Sequence, residues 1–390
     1  MLTRPLGKTG VNLSILGFGC MRLPWDGPNH SYIDVPKAEA LLYRAIDAGV
    51  NYFDTAWPYH GQKGVFDPGE SEPFLGRALT PEMRKKVYIA TKLPIWAVKD
   101  QSEMDAILDA QLSRLRTDCI DFYLVHGLVA YFWRAESKLR YFDFLARAKK
   151  DGRIRHVGFS FHDEFSIFAE LLDAFDWEFV QLQYNYVDKE FQAGEAGMKR
   201  AAEKNVGVII MEPLRGGSLV RDLPPKAEQL FKHAHPDWNM AEWGLRWLWN
   251  QPEITTVLSG MSNMEQVEDN IRIAENGCPG NLRDDDLRTV EKVGEVFNSG
   301  MKIGCTGCGY CMPCPHGVDI PRNFSFFNTY HLFDNIGTRR QTQHFYSTQM
   351  PRDKIAAHCV GCGLCVDKCP QHLPVATLMP QVADLFASNR

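Results

Sequence analysis

The stretch DFYLVHG at residues 121–127 is an apolar run in which hydrophobic and polar residues do not alternate, and a histidine stands near its end. A run of this kind is typical of a parallel β-strand buried on both faces. Seven further runs lie before residue 300: ILGFGC (15–20), NYFDTA (51–56), VYIATKL (87–93), HVGFS (156–160), FVQLQYN (179–185), GVIIMEP (207–213) and TTVLSG (255–260). Eight such strands alternating with helices predict an α/β fold, the (β/α)8 TIM barrel.

The segments between these runs carry helical patterns. We predict helices over residues 36–48, over 102–115 with Ser102 as N-cap, and over 163–175 with Asp163 as N-cap. The opening residues 1–14 read as a hairpin with Lys8-Thr9-Gly10 at its turn, covering the bottom of the barrel. A last helix over about 283–298 predicts a domain boundary, with the barrel at 1–298 and a second domain at 299–390.

Ionisable residues stand at the C-terminal ends of three runs, where a TIM barrel carries its active site. In chain order, the second run carries Asp54 near its end, the third Lys92 and the fourth His126, and Tyr59 follows Asp54 by five residues. Each has an ordinary alternative: a strand-end aspartate caps a helix, a lysine extends its amine to solvent, and a histidine packs in the core. Four different ionisable groups at one end of the barrel together favour a catalytic site.

The first 298 residues resemble the aldo-keto reductases. The matching stretches are LGKTG (6–10), LGFGCMRL (16–23), AGVNYFDTAWPYHG (48–61), GESEPFLGRAL (69–79), YIATK (88–92), IDFYLVHG (120–127) and RIRHVGFSFH (153–162). The resemblance implies NAD(P)H-dependent reduction of an aldehyde or ketone, or the reverse oxidation of an alcohol. It also implies a catalytic tetrad of Asp54, Tyr59, Lys92 and His126.

The chemistry of this tetrad follows from elementary acid–base properties. Hydride transfer to a carbonyl leaves an alkoxide that needs a proton, and a free tyrosine, with a pKa of about 10, is protonated at neutral pH. A neighbouring Lys92 would lower the pKa of Tyr59, and Asp54 would keep Lys92 charged and oriented. His126 would hydrogen-bond the carbonyl oxygen. Tyr59 is then the acid in reduction and the base in oxidation.

The resemblance also implies the cofactor-binding residues. Ser160 and Gln181 would hold the nicotinamide carboxamide, Met211 stands where many relatives carry an aromatic ring, and Gly216 lies where a phosphate-binding loop or an ordinary turn would run. Residues of the segment after the eighth strand would hold the adenosine end: Ser262, Gln266 and Asn270. No Arg or Lys occurs between residues 256 and 271, so the choice between NADP(H) and NAD(H) stays open.

Eight of the eleven cysteines stand in two short runs. Each run ends in Cys-Pro, and the runs are Cys305, Cys308, Cys311 and Cys314, and Cys359, Cys362, Cys365 and Cys369. Disulfides need an oxidising compartment, and zinc sites usually separate their C-x2-C pairs more widely. The spacing instead indicates two 4Fe-4S clusters, in which three cysteines of a run bind one cube and the fourth reaches the other. The distance between the runs favours a small, mainly helical ferredoxin-like domain.

The composition of the chain limits the classes of partner that we expect it to bind. The formal net charge of −5 offers no basic surface for nucleic acid, and the absence of a signal peptide and of a long apolar span predicts a cytoplasmic protein that does not bind a membrane. A small carbonyl or alcohol is the expected substrate. The clusters could be structural or sensory, or could exchange electrons with a redox protein partner, with a flavin not excluded as intermediary. A third alternative is an electron-transfer or redox-sensing protein without catalysis.

Overall fold

The computed structural model of the chain describes residues 1–27, 29–62, 65–221, 223–332 and 336–387. These residues divide into two compact units. The first unit comprises Met1–Pro213 and Leu245–Leu282, and the second comprises Leu214–Gly244 and Arg283–Arg390.

The first unit is built on a closed barrel of eight parallel strands. A two-stranded antiparallel hairpin, β1 (Thr3–Pro5) and β2 (Asn12–Ser14), precedes the barrel. The barrel strands follow in chain order: β3 (Leu16–Gly19), β4 (Tyr52–Asp54), β5 (Tyr88–Leu93), β6 (Ile120–Leu128), β7 (Ile154–Phe161), β8 (Phe179–Gln183), β9 (Gly207–Met211) and β10 (Ile254–Ser259). Each strand pairs with the next one, and β10 closes the barrel against β3. The predicted TIM barrel is therefore confirmed, with one strand in each of the eight apolar runs.

The hairpin covers the N-terminal end of the barrel, as predicted. Gly10, at its turn, has a φ of 75°, a left-handed conformation that glycine adopts without strain. Leu6 and Leu13 are fully buried and pack with the rings inside the barrel, including those of Tyr52 and Phe122. The bottom of the barrel is closed by side chains, so the opposite end carries the site.

Helices follow the barrel strands as the sequence predicts, with two corrections at their N-termini. The helix predicted over 102–115 is Gln101–Leu115, and its N-cap is Asp100, whose carboxylate accepts from the Ser102 N–H at 2.9 Å. The helix predicted over 163–175 is Phe165–Ala174, and Asp163 accepts from the Glu164 and Ala130 N–H groups instead of capping it. Both N-cap predictions were therefore wrong. Asp100 caps the first helix in place of Ser102. The Asp163 carboxylate is engaged by the N–H groups of Glu164 and Ala130.

The other α-helices of the chain have the following bounds: Val35–Asp47, Ser71–Ala78, Pro81–Arg84, Ala130–Arg134, Glu136–Leu139, Tyr141–Lys150, Gly194–Glu203, Ser218–Arg221, Pro225–Ala234, Met240–Trp249, Met264–Ala274, Asp284–Gly300, Ile320–Leu332, Ile336–Gln349 and Val375–Ala387. Within the described parts of the chain, no helix is both long enough and apolar enough to span a bilayer.

The second unit is mainly helical, as predicted for the cysteine-rich region. The stretch between the cysteine runs forms helices Ile320–Leu332 and Ile336–Gln349, and Val375–Ala387 follows the second run. Phe324, Val375 and Met379 are buried in the core of this unit. The helix Asp284–Gly300 belongs to it by compactness, so a boundary at residue 298 remains a proposal about the two sequence modules.

Candidate active site

The structure brings the four predicted catalytic residues together at the C-terminal end of the barrel. Asp54 ends β4, Lys92 lies in the adjacent β5 and His126 in the next strand, β6. Tyr59 lies in the turn that follows β4. All four side chains are buried. Because neighbouring parallel strands end on the same side of the barrel, residues far apart in the sequence become neighbours here.

Lys92 is the centre of this group. Its Nζ donates to both carboxylate oxygens of Asp54 at 2.7 and 2.8 Å and to the main-chain oxygen of Thr55 at 2.8 Å. The same nitrogen lies 3.4 Å from the Tyr59 hydroxyl and 4.9 Å from the centre of its ring. A buried ammonium is stable only when it is paired and hydrogen-bonded. The Asp54 carboxylate supplies that pairing and holds the amine beside the phenol.

Burial shifts the pKa values of the ion pair. It lowers the pKa of Lys92 below its ordinary value, and the Asp54 charge and hydrogen bond oppose this shift. Burial likewise raises the pKa of Asp54, against the opposing effect of Lys92. Each partner is therefore needed to keep the other charged, because either one alone in this site would be driven towards its neutral form.

His126 completes the group as a neutral side chain. Its ring meets that of Tyr59 edge to face, with centroids 6.2 Å apart, and lies 4.8 Å from the Trp96 ring. Burial, then the charge of Lys92 and then His162, hold the pKa of His126 well below its usual range. The imidazole is thus uncharged at neutral pH. It can donate a hydrogen bond from a ring N–H group without acting as an acid that transfers its proton.

A buried polar network behind Lys92 was not recognised from the sequence as part of the site. Gln111 donates to the main-chain oxygen of Lys92 at 3.0 Å and to Glu72 at 2.8 Å, and accepts from the Tyr123 hydroxyl at 2.8 Å. Glu72 also accepts from Thr91 at 2.6 Å. Glu72 lies in GESEPFLGRAL, a stretch that carries the family resemblance, so a role for it could have been suspected. Its partners lie on other elements and are not visible in that motif.

Cys20, which the sequence marks only as an isolated cysteine, is fully buried near the ion pair. Burial raises the pKa of its thiol, the negative charge of Asp54 raises it further, and Lys92 opposes the shift. A thiol with a raised pKa stays protonated and unreactive, so Cys20 contributes packing next to the tetrad.

The residues predicted to hold the nicotinamide carboxamide lie on adjacent strands. Ser160 on β7 and Gln181 on β8 are register partners, and both are buried. The Ser160 hydroxyl accepts from the Gly127 N–H at 2.8 Å. The Gln181 amide nitrogen lies 3.6 Å from the Met211 sulfur, whereas its buried oxygen has no hydrogen-bond partner within the described part of the chain. A buried amide oxygen of this kind needs a donor.

The residues predicted at the adenosine end differ in exposure. Both the N–H and the hydroxyl of Ser262 donate to the exposed Gln266 side chain, at 2.8 and 3.2 Å, at the start of helix Met264–Ala274. Asn270 is buried and donates to Ser259 at 2.9 Å. Gly216 lies in the second compact unit with a φ of 65°. The N–H and hydroxyl donors at the start of a helix are suited to binding an anion. Here the two donors of Ser262 already bond to the Gln266 side chain.

The cysteines of the second unit gather across the two runs. One cavity is lined by Cys305, Cys308 and Cys311 of the first run and by Cys369, the last cysteine of the second. Burial raises the pKa of Cys311, and Cys308, Cys305 and Cys369, followed by Cys365, raise it further. Burial also raises the pKa of Cys365, to which Cys314, Cys359 and Cys362 add. Thiolates that disfavour one another's charge are typical of a site completed by a positively charged metal group.

These two sets match the ligand pattern of paired iron–sulfur cubes, with three cysteines from one run and one from the other. In the described part of the chain, no three or more His, Cys, Asp or Glu side chains are placed to hold a metal ion. The four-cysteine donor set around one cavity fits a cluster, which spans more space than an ion.

Two protein-family models match successive parts of the chain. The sequence model of the Aldo/keto reductase family matches residues 15–295, and that of the 4Fe-4S dicluster domain matches residues 304–373. The match of a reductase barrel followed by a cluster domain confirms the fusion predicted from the sequence.

Individual relatives support the first match. The uncharacterized oxidoreductase YqkF of Bacillus subtilis is 25% identical over 304 residues, which cover 70% of this chain and 91% of that protein. The aldo-keto reductase yakc of Schizosaccharomyces pombe, whose name includes NADP(+), is 27% identical over 56% of this chain and 62% of its own length. The holo form of an aldo-keto reductase from Bacillus halodurans aligns with a TM-score of 0.61 and 25% identity, covering 75% of this chain and 96% of that one.

Proposed function

Because this chain belongs to the aldo/keto reductase family, we propose that its barrel reduces an aldehyde or ketone at the expense of NADPH or NADH, and oxidises the alcohol in reverse. The substrate is a small molecule that enters the C-terminal end of the barrel. Tyr59 gives the proton in reduction and takes it in oxidation. The fused dicluster domain makes this reductase an iron–sulfur protein as well.

One observation carries the proposal: the Lys92 amine lies 3.4 Å from the Tyr59 hydroxyl while it is bound to Asp54. A cation at this distance stabilises the phenolate that remains after Tyr59 has given up its proton. The buried site excludes water, which strengthens this interaction. The neutral His126 lies on the neighbouring strand, from which it would hydrogen-bond the substrate oxygen and orient it towards Tyr59.

The residues of the barrel also fit the nicotinamide end of the cofactor. The bound cofactor supplies the hydride. The Gln181 oxygen has no donor among the described residues, which supports its role as an acceptor for the carboxamide N–H group. Ser160 on the adjacent strand is the second polar group there. Met211 lies against Gln181 and would pack on the ring as a flexible apolar side chain. Ser262, Gln266 and Asn270 are proposed for the adenosine end, and Gly216 for a phosphate.

The test of catalysis is Tyr59→Phe, with Tyr141→Phe as the matched control. Tyr141 is also a buried tyrosine of the first unit, but its helix Tyr141–Lys150 carries none of the tetrad residues. We expect Tyr59→Phe to lower kcat/KM for reduction of a panel of aldehydes and ketones by about 100-fold or more, and Tyr141→Phe to keep the activity. Full activity in Tyr59→Phe, or no turnover by the wild type with any carbonyl and either cofactor, would contradict the proposal.

Two 4Fe-4S clusters are proposed for the second unit, one on each of the cysteine sets described above. Anaerobic purification followed by iron and sulfide analysis measures their number. Extraction of the bound organic cofactor in the same preparation distinguishes NADP(H) from NAD(H) and shows whether a flavin accompanies them.

A second candidate function is electron exchange between the clusters and a redox protein partner. It is favoured by the exposure around the second cysteine run: Cys362 is exposed, and the flanking Val360 and Leu364 side chains are 63% and 56% exposed. An exposed ligand allows an electron carrier to approach a cluster closely. Reduced ferredoxin as sole electron donor should then support carbonyl reduction, and Cys362→Ser should abolish it while leaving the NADPH-dependent rate. If Cys362→Ser lowers only stability, the clusters are structural.

A further inference from the structure

The two cysteine runs have matching glycine conformations but differ at two positions, and at one of these the first run carries a buried residue. The first reads CTGCGYC at residues 305–311 and the second CVGCGLC at 359–365. The glycines at equivalent positions have left-handed backbones in both runs, with φ values of 70° and 80° in the first and 69° and 78° in the second. The residue after the first cysteine is Thr306 in one run and Val360 in the other.

These two equivalent residues have different surroundings. Thr306 is 6% exposed and lines the cavity formed by Cys305, Cys308, Cys311 and Cys369. Val360 is 63% exposed. The glycine conformations match in the two runs, so we attribute the contrast to what packs over each run. Phe324, Leu373 and Val375 line the first cavity together with Thr306.

The Thr306 hydroxyl is buried and has no hydrogen-bond partner among the residues that the structure describes. A buried hydroxyl of this kind is unusual, because the great majority of buried polar atoms find a partner. The cavity is lined mainly by cysteines and apolar side chains, and Gln371 is the other polar side chain in its lining. Sulfur atoms accept hydrogen bonds, and hydrogen bonds to the sulfurs are one of the factors that set the potential of an iron–sulfur cluster.

We propose that the Thr306 hydroxyl donates a hydrogen bond to a sulfur atom of the cluster held by Cys305, Cys308, Cys311 and Cys369, and thereby raises the reduction potential of that cluster. Adding one electron makes the cluster more negative, so a donor at its sulfurs stabilises the reduced form more than the oxidised form. Val360 lacks a hydroxyl and is exposed, so the cluster of the second run has no such donor at the equivalent position. Thr306 thus makes the reduction potentials of the two clusters unequal.

This inference rests on the proposed presence of two clusters, so the test first measures iron and sulfide in anaerobically purified full-length protein. The variants are Thr306→Val, which removes the donor at nearly constant volume, Thr306→Ser, which keeps it, and Val360→Thr. The midpoint potentials of both clusters are then measured by electron paramagnetic resonance during stepwise reduction with dithionite.

We expect Thr306→Val to make one cluster about tenfold harder to reduce, a shift of about 59 mV for a one-electron couple, and to leave the other unchanged. Thr306→Ser should have the wild-type midpoint potentials, and Val360→Thr should change the potential of neither cluster. Thr306→Val protein that holds both clusters at unchanged midpoint potentials would overturn the inference. A change of cluster potential in Val360→Thr as large as that in Thr306→Val would also overturn it. If Thr306→Val loses its clusters, Thr306→Ala takes its place in the comparison with Thr306→Ser. Wild-type protein that holds no iron and sulfide would overturn the cluster proposal itself.

Discussion

The Gln111 side chain donates a hydrogen bond of 3.0 Å to the main-chain oxygen of Lys92, so that a helix on the outside of the barrel fixes the backbone beneath the central cation of the site. Gln111 is fully buried and also bonds Glu72 and Tyr123. The position of Lys92 therefore depends on residues that touch neither substrate nor cofactor.

Replacement of Gln111 should disturb the site through Lys92. Gln111→Leu leaves the Glu72 carboxylate and the Tyr123 hydroxyl each with one partner fewer, and we expect the free energy of unfolding to fall by about 1–3 kcal/mol. We also expect kcat to fall more than the affinity for substrate. Urea unfolding and steady-state kinetics measure the two effects. Gln101→Leu, on the same helix but partly exposed, is the control and should change neither.

Replacement of Lys92 should lower both the stability and the activity of the protein. A second replacement, at Asp54, should restore the stability but not the activity. Lys92→Met leaves Asp54 as an unpaired buried charge, which typically costs about 3–5 kcal/mol. Adding Asp54→Asn removes that charge, so the double variant should regain much of the lost stability while reduction remains at least about 100-fold impaired. Thermal unfolding and turnover are measured on the same preparations. A double variant as unstable as Lys92→Met would show that Lys92 acts by packing.

The neutral His126 predicts the pH dependence of stability. Burial, Lys92 and His162 depress its pKa in the folded state, whereas in the unfolded chain it has the ordinary value of about 6.5. Below that pH the unfolded state binds a proton that the folded state does not, so this group lowers stability as the pH falls below about 6.5 and has no effect above it. The slope of unfolding free energy between pH 7 and 5 should be smaller in His126→Gln than in the wild type. Equal slopes would mean that His126 is protonated in the folded protein.

The distribution of cysteines predicts which double variants lose one cluster and which lose both. Because Cys369 lies with Cys305, Cys308 and Cys311, the pair Cys305→Ser and Cys369→Ser should together remove about half of the iron. Because Cys314 lies with the second set, Cys305→Ser combined with Cys314→Ser should remove nearly all of it. Iron per chain measures the outcome, and Cys278→Ser, an exposed cysteine outside both runs, is the control. Equal iron in the two double variants would contradict the exchange of ligands between runs.

The amino-acid sequence by itself determined the features that contiguous residues encode. The eight apolar runs indicated the eight strands of the barrel, and the spacing of the cysteines indicated the cluster domain that the family match confirms. The tetrad was predicted because the parallel order of strands places strand ends side by side, and the motifs around Asp54 and Lys92 resemble those of a known family.

Only the tertiary structure decided which distant groups meet. It placed Gln111 beneath Lys92, brought Cys369 to the first cysteine run, and buried Thr306 while leaving Val360 exposed. It also selected Asp100 over Ser102 as a helix cap. Strand and helix periodicity is a property of neighbouring residues, whereas a hydrogen-bond partner or a fourth ligand is fixed by how the elements pack, and that packing is set by the chain as a whole.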